Sequence, residues 1–411
     1  MTGETRHLSG KNLFTLSTYW FAVNFHWGAL LVVVIPAQVL TYVDDAAKAK
    51  YLSLVFAVGA LVAMVTQPVT GSFSDRCASR WGRRRPFMAA GTLLNVAGLM
   101  AMAYAPTLAT FTAAFMLVQL GSNIGASGYQ GLLPDLVPES QRGTAAGYVG
   151  VMNMLGTITA AITAGTLVDR GMFYPVYWII SLLLLALLAV TASSIREEPL
   201  MQRPPMDWRR FLKAFWVSPR EHPDFAWLLA NRALVMLGFY TLLNFLQYYL
   251  ADVTGSAHPA RDAGTVSAVV LVGAALSSFA AGWLSDRIGR KGLVAFTGLL
   301  MAATCLAFIT GPSFMVVLAF ALIFGLGYGG YISVELALAT EVLPSAESRA
   351  KDMGIWGISV TLPQVIAPLL GGQLLYTMNR INGLGYPILF ATAVLYFVLG
   401  SMVVYRIRKG R

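Results

Sequence analysis

The sequence predicts an all-α membrane protein of twelve spanning helices in two six-helix bundles, with both termini in the cytoplasm. Three observations predict it. Of 411 residues, 57% are hydrophobic and only 12% charged, far below the ~25% that covers a soluble surface. The apolar residues gather into twelve runs of roughly 20 residues each, enough to cross a bilayer as helix. Finally, 23 of the 29 Lys and Arg residues fall at the termini and in the even-numbered connections, as the positive-inside rule requires.

The runs lie near 14–41, 51–73, 87–105, 107–131, 143–168 and 173–194, then 225–251, 264–284, 292–310, 313–339, 353–377 and 385–405. Residues Met1–Lys11 are polar, and the run after them is too long for a cleaved signal, so the first helix stays. The expected organisation is a first bundle over 1–194, a cytoplasmic linker over 195–224 and a second bundle over 225–411. Trp208, Phe211, Phe215 and Trp216 in the linker, beside Arg209, Arg210 and Lys213, predict a helix lying on the membrane surface. Five basic residues stand on the opposite side: Lys48, Lys50, Arg170, Arg261 and Arg380. Arg232 falls within the seventh run, where it would either snorkel to the cytoplasmic surface or face a cavity.

The net charge of +10 forms no basic face, only short runs between spans, so nucleic acid is not an expected partner. Cys77 and Cys305 make no disulfide framework, and the scattered His7, His26, His222 and His258 show neither metal-ligand nor catalytic-triad spacing. No phosphate-cradling glycine loop follows a strand. Neither an enzyme, nor a metal site, nor a cofactor is expected.

The chain repeats itself. Gly71-Ser-Phe-Ser-Asp75-Arg76, continued by Gly82-Arg83-Arg84-Arg85-Pro86, follows the second span. Gly282-Trp-Leu-Ser-Asp286-Arg287-Ile-Gly289-Arg290-Lys291 follows the eighth, offset by 211 residues at the aspartates and 207 at the arginines. Asp135-Leu-Val-Pro138 with Arg142 is likewise echoed by Glu341-Val-Leu-Pro344 with Arg349, again at an offset of about 207. Two echoes at one spacing mark a duplicated six-helix unit.

These twin loops resemble the G-x-x-x-D-R-x-G-R-R/K signature of the major facilitator superfamily, and the resemblance covers nearly the whole chain. It implies that fold, secondary transport of a small solute by alternating access, and a cytoplasmic gate. The gate would comprise Asp75, Arg76, Gly82, Arg83, Arg84 and Asp135 in the first copy, and Asp286, Arg287, Gly289, Arg290 and Glu341 in the second. Arg83 or Arg84 would pair with Asp135, and Arg290 with Glu341, while Asp75 and Asp286 would face the starts of helices 11 and 5. The longer run Ser74-Asp-Arg-Cys-Ala-Ser-Arg-Trp-Gly-Arg-Arg-Arg-Pro-Phe87, with Phe25-His-Trp27 and Pro36 in helix 1, looks like the sucrose–proton and glycoside symporter branch. Helix 4 lacks the arginine, and helix 5 the Gly-Pro pair, that proton-coupled drug exporters of the superfamily usually carry. Helix 1 offers Asn24 and His26 where sucrose symporters carry an acid.

By the same resemblance, helices 1, 4, 7 and 10 line the cavity. Their polar residues Asn24, His26, Trp27, Gln119, Asn123, Gln130, Asn244, Gln247, Tyr248 and Tyr331 are therefore the expected solute-binding set, with Gln38, Tyr249 and Tyr328 nearby. Amides and aromatic faces suit a neutral polyol. Glu335 is the one acid squarely inside a predicted span, about 9 Å by helical rise from Glu341. It and His26, whose ordinary pKa is ~6.5, are the two proton-coupling candidates. Glu335 could equally be the partner of a gate arginine, and His26 a bond between helices. The expected partners are a solute, a proton (or sodium) and the lipid bilayer, the chain acting as a monomer. A compact chain with short loops looks bacterial, which places it in the inner membrane. Efflux of an amphipathic metabolite and a non-transporting membrane sensor are the alternatives.

Overall fold

A computed structural model describes residues 7–194, 197, 219–342, 349–381 and 383–408. All regular structure among them is helical. The first six helices are α1 (Gly10–Val39), α2 (Asp45–Ser74), α3 (Arg85–Ala103), α4 (Leu108–Leu136), α5 (Arg142–Asp169) and α6 (Phe173–Ser194). The next are α7 (Pro223–Leu243), continued after a break by a short helix Leu246–Asp252, then α8 (Pro259–Ile288) and α9 (Arg290–Ile309). The last are α10 (Phe314–Val342), α11 (Arg349–Ile381) and α12 (Gly385–Val403). The predicted surface helix of the linker lies outside the described residues.

Local chemistry sets the ends. Ser9 caps α1 by accepting the Asn12 amide at 3.2 Å, and Thr107 and Thr110 form a reciprocal capping box on α4. Prolines open α3, α7 and α8, where their missing N–H costs nothing. Gly289 joins α8 to α9 with φ +97°, a backbone that side-chain-bearing residues avoid. Inside α1, Leu30–Val34 widens into a π-helical turn just before Pro36, whose ring and absent N–H disturb the regular ladder.

Eleven of these helices are long and apolar enough to cross a membrane. The twelfth, α11, has 33 residues, ample in length by ~1.5 Å rise per residue, but its glycines, prolines and polar groups dilute its apolar character. Large side chains such as Phe279 (86% exposed) and Leu276 (65%) turn outward, a surface costly in water and at rest in lipid.

Two compact units emerge, one of Met1–Ile35 with Val58–Met206, the other of Pro36–Ala57 with Asp207–Arg411. In the first, α3 and α4 meet backbone to backbone: a Cβ on Gly91 would overlap the amide of Gly125. Tyr19 and Thr92 bond at 2.8 Å, and Thr191 of α6 accepts the Tyr19 amide at 3.2 Å. In the second, α8 and α10 are the pair in backbone contact, with Gly325 and Gly329 against the carbonyls of Val270 and Ala274. Small residues at these crossings let van der Waals contact replace the hydrophobic drive that lipid removes.

Candidate functional site

In the first unit the loop between α2 and α3 closes on Asp135, at the cytoplasmic end of α4. Arg84 Nε and Arg83 Nη2 reach the same Asp135 oxygen, at 2.8 and 2.5 Å. Arg84 Nη1 extends to Asp75 at 2.5 Å and to the Ser74 hydroxyl at 3.1 Å. Its side chain is only 7% exposed. Burial works against the Arg84 charge, but the bonds to Asp135 and Asp75 outweigh it and hold the guanidinium above the usual arginine value. Arg76 turns back to Ser72, meeting its carbonyl at 2.7 Å and its hydroxyl at 2.8 Å.

A residue that sequence reasoning missed holds this loop in place. Glu197 accepts the backbone amides of Arg84 at 2.6 Å and Arg85 at 3.1 Å, placing a carboxylate on the N-terminus of α3. Gly82, at φ +100°, leaves room for it; a Cβ there would lie 2.6 Å from Glu197.

The second unit repeats the theme with one arginine. Arg290 reaches Glu341 at 2.8 Å, the Ala337 carbonyl at 2.7 Å and Asp286 at 3.2 Å. Arg287 stacks on Trp283 at 3.8 Å. The start of α11, expected opposite Asp75, has side chains outside the described residues.

Within the first unit, Gln119, Asn123, Ser127 and Gln130 share one face of α4. The Asn123 amide donates to the Gln119 carbonyl at 2.8 Å, and Ser127 donates to the Gln67 carbonyl of α2 at 3.0 Å. Gln67 in turn donates to Gln130 at 3.3 Å. On α1, half-buried Asn24 bonds the Trp20 carbonyl at 2.7 Å. His26 is fully buried, its ring 4.4 Å from that of Trp27, and neither ring nitrogen has a partner among the described residues.

The second unit holds a charge pair inside the span. Arg232 of α7 donates to Glu335 of α10; the arginine side chain is 8% exposed and the glutamate 0%. The counter-charge of Arg232 sits on a neighbouring helix of the same unit, and the pair holds the guanidinium among buried groups. Among the described residues, Glu335 therefore pairs with an arginine of α7. One turn away, Tyr331 donates to Asn231 at 2.9 Å, and Asn231 donates to the Gly400 carbonyl of α12 at 2.8 Å. Gln364 donates to Tyr240 at 2.6 Å, and Tyr328 stacks on Phe239 at 4.4 Å. Among the expected solute-facing groups, Tyr331 and Tyr248 are fully buried, the Tyr248 hydroxyl donating to the Pro36 carbonyl at 3.0 Å. Asn244 and Gln247, also buried, flank the break after α7. Tyr249, which donates to the Phe308 carbonyl at 2.8 Å, sits in an aromatic cluster with Phe390 and Tyr386. Asn231 and Gln67 had a sequence signal that went unused: a polar residue on a spanning helix usually meets another.

Known proteins place this geometry. Residues 21–386 match the model of the family described as MFS/sugar transport protein. An uncharacterized MFS-type transporter, YuxJ of Bacillus subtilis (strain 168), is 23% identical over 95% of this chain and 98% of its own length. The sucrose transport protein SUC4 of Arabidopsis thaliana is 25% identical over 38% of this chain and 33% of its own. Among solved structures, a mutant of the nucleoside transporter NupG has a TM-score of 0.76 at 15% identity, covering 97% of this chain and 99% of that one. A D-xylose-proton symporter has a TM-score of 0.73 at 14% identity, covering 96% and 97%. These neighbours share the twelve-helix fold. The chain therefore belongs to the MFS/sugar transport protein family of the major facilitator superfamily, a multi-pass membrane transporter rather than an enzyme.

Proposed function

We propose that this transporter moves a neutral polyhydroxy solute, a sugar or glycoside, by alternating access, and that a proton carried on Glu335 drives it. The observation that carries the reading is the Arg232–Glu335 pair, both members buried within one unit. A carboxylate and a guanidinium in a low-dielectric span hold each other ionised. A proton arriving on Glu335 cancels its charge and frees Arg232 to exchange partners, so protonation and local geometry are linked. Around the pair, Asn231, Tyr240, Tyr328 and Gln364 supply hydroxyls and amides in place of water.

The polar face of α4, with Asn24 and Trp27 on α1, offers the first unit's amide and aromatic groups to a polyol. The names of two similar proteins, a sucrose transport protein and a general alpha-glucoside permease of Schizosaccharomyces pombe, fit the same solute class. His26, buried with no hydrogen-bond partner among the described residues, is the second proton candidate.

Uptake of labelled sucrose, maltose and glucose into proteoliposomes, with and without an inward proton gradient, tests the reading. Gradient-stimulated uptake that Glu335→Gln abolishes is the expected result. Because that change removes the carboxylate facing Arg232, the R232Q/E335Q double variant is the control; it should bind solute while losing the response to the gradient. Stimulation that survives both changes moves the proton elsewhere, His26 first. Absence of uptake by folded protein for all three sugars removes the sugar reading.

A further inference from the structure

The segment Pro36–Ala57 clusters with the second unit, and a compact set of polar contacts fastens it there. Lys48 Nζ stands 2.6 Å from Asp252 Oδ1 and 2.9 Å from Asp45 Oδ1. The other Asp252 oxygen accepts the Tyr386 hydroxyl at 2.5 Å. The Lys48 ammonium also lies 5.0 Å from the ring centroid of Tyr248, whose hydroxyl donates to the Pro36 carbonyl. Further along α2, Ser53 abuts Gly372 of α11 so tightly that a Cβ on the glycine would overlap the Ser53 side chain.

Two features set this cluster apart from ordinary surface pairing. The Lys48 side chain is only 7% exposed, so two carboxylates and an aromatic face have replaced its water. Asp252 ends the short helix Leu246–Asp252, which is separated from α7 by the break at Asn244 and Phe245, a joint able to absorb a change of direction.

We propose that Lys48, Asp252 and Tyr386 form a latch on the non-cytoplasmic side that holds Pro36–Ala57 against the rest of the second unit and opens once in each transport cycle. The inference rests on the alternating-access part of the proposed function, not on the solute or the proton. An apolar seam of the same size would have to be exposed to water to open. An ion pair with a tyrosine bridge can exchange each of its bonds for a bond to water, which makes it a discrete two-state fastening.

The test needs no solute. In a C77S/C305S background, Ser53→Cys provides a buried reporter, and its labelling rate with a membrane-impermeant maleimide reports departure of the segment. Lys48→Met and Asp252→Asn should each raise that rate about fivefold, the population shift that one half-buried pair can supply. Tyr386→Phe, which removes a single hydroxyl, should raise it less. The K48D/D252K exchange restores the central ion pair but not the Asp45 and Tyr386 contacts, and should bring the rate below that of either single variant. Elution profile and thermal midpoint in detergent establish that each variant is folded, and the tyrosine variant decides the matter should a charge variant not fold. Unchanged labelling in the single variants overturns the latch, and so does an exchange variant that labels as fast as the singles.

Discussion

The two copies of the gate loop reach the same end by different means. The second runs from Asp286 to Lys291 without interruption, and one arginine, Arg290, serves Glu341, Asp286 and a backbone carbonyl while remaining 20% exposed. The first carries four extra residues, and in it two arginines meet one carboxylate. Its central arginine, Arg84, is 7% exposed and bonded on three sides. A longer loop normally costs closure entropy, but only logarithmically with length. Here that small cost is offset by a more deeply buried network. Duplication therefore preserved the pairing, an arginine on the loop with an acid on the fourth helix of its half, while burial diverged. The first clasp is the rigid one and the second the looser.

The largest expected effect follows from that difference in burial. Asp135→Ala removes the acceptor that two guanidiniums share, leaving the nearly buried Arg84 with Asp75 and Ser74 alone, and should cost about 1–3 kcal/mol of stability. Glu341→Ala removes a carboxylate whose side chain is 40% exposed and should cost under about 1 kcal/mol. Thermal unfolding of the purified variants in one detergent measures both. Equal shifts would show that the clasps are equivalent and that the burial contrast carries no energy.

Arginine-to-lysine exchange sharpens the comparison at the next level down. Arg84 uses its planar fork on three partners, which a lysine ammonium cannot span at once. Arg84→Lys should lower stability by about 1–2 kcal/mol. Arg290→Lys keeps the option of reaching Glu341 alone and should lower it by less. The order would be reversed only if the second loop were the tighter of the two.

The spans were legible because apolar runs and basic loops alternate along the chain, and both are properties of a single sequence. The paired loops were legible because duplication writes them twice. Helix ends were less so: α4 and α10 run on past their apolar stretches to Leu136 and Val342, carrying Asp135 and Glu341 on helix rather than loop. The seventh span also breaks after Leu243, where no proline or glycine gives warning. Least legible were pairings between distant helices. Arg232 and Glu335 are 103 residues apart, and Lys48 and Asp252 are 204 apart. Hydropathy tells that a residue is inside a span but not which neighbour it faces. A partial signal existed, since the adjacent polar residues Asn231 and Arg232 on α7 meet Tyr331 and Glu335, which stand one turn apart on α10.

Glu197 provides the smallest and most selective probe, because it serves the first clasp alone among the described residues. Its carboxylate accepts two amides at the start of α3, adds its charge to the positive end of the helix dipole, and is accommodated by the side-chain-free Gly82. It stands three residues after the end of α6 in sequence and binds the loop that positions Arg83 and Arg84. Glu197→Gln keeps the shape and one acceptor oxygen but removes the charge, and should cost about 0.5–1 kcal/mol. A loop that is pre-set by this cap should also lose order without it, raising the modification rate of half-buried Cys77 toward a small thiol reagent while leaving buried Cys305 unchanged. If stability falls but Cys77 reactivity does not move, Glu197 supports α3 alone, and the rigidity of the first clasp comes entirely from its two arginines.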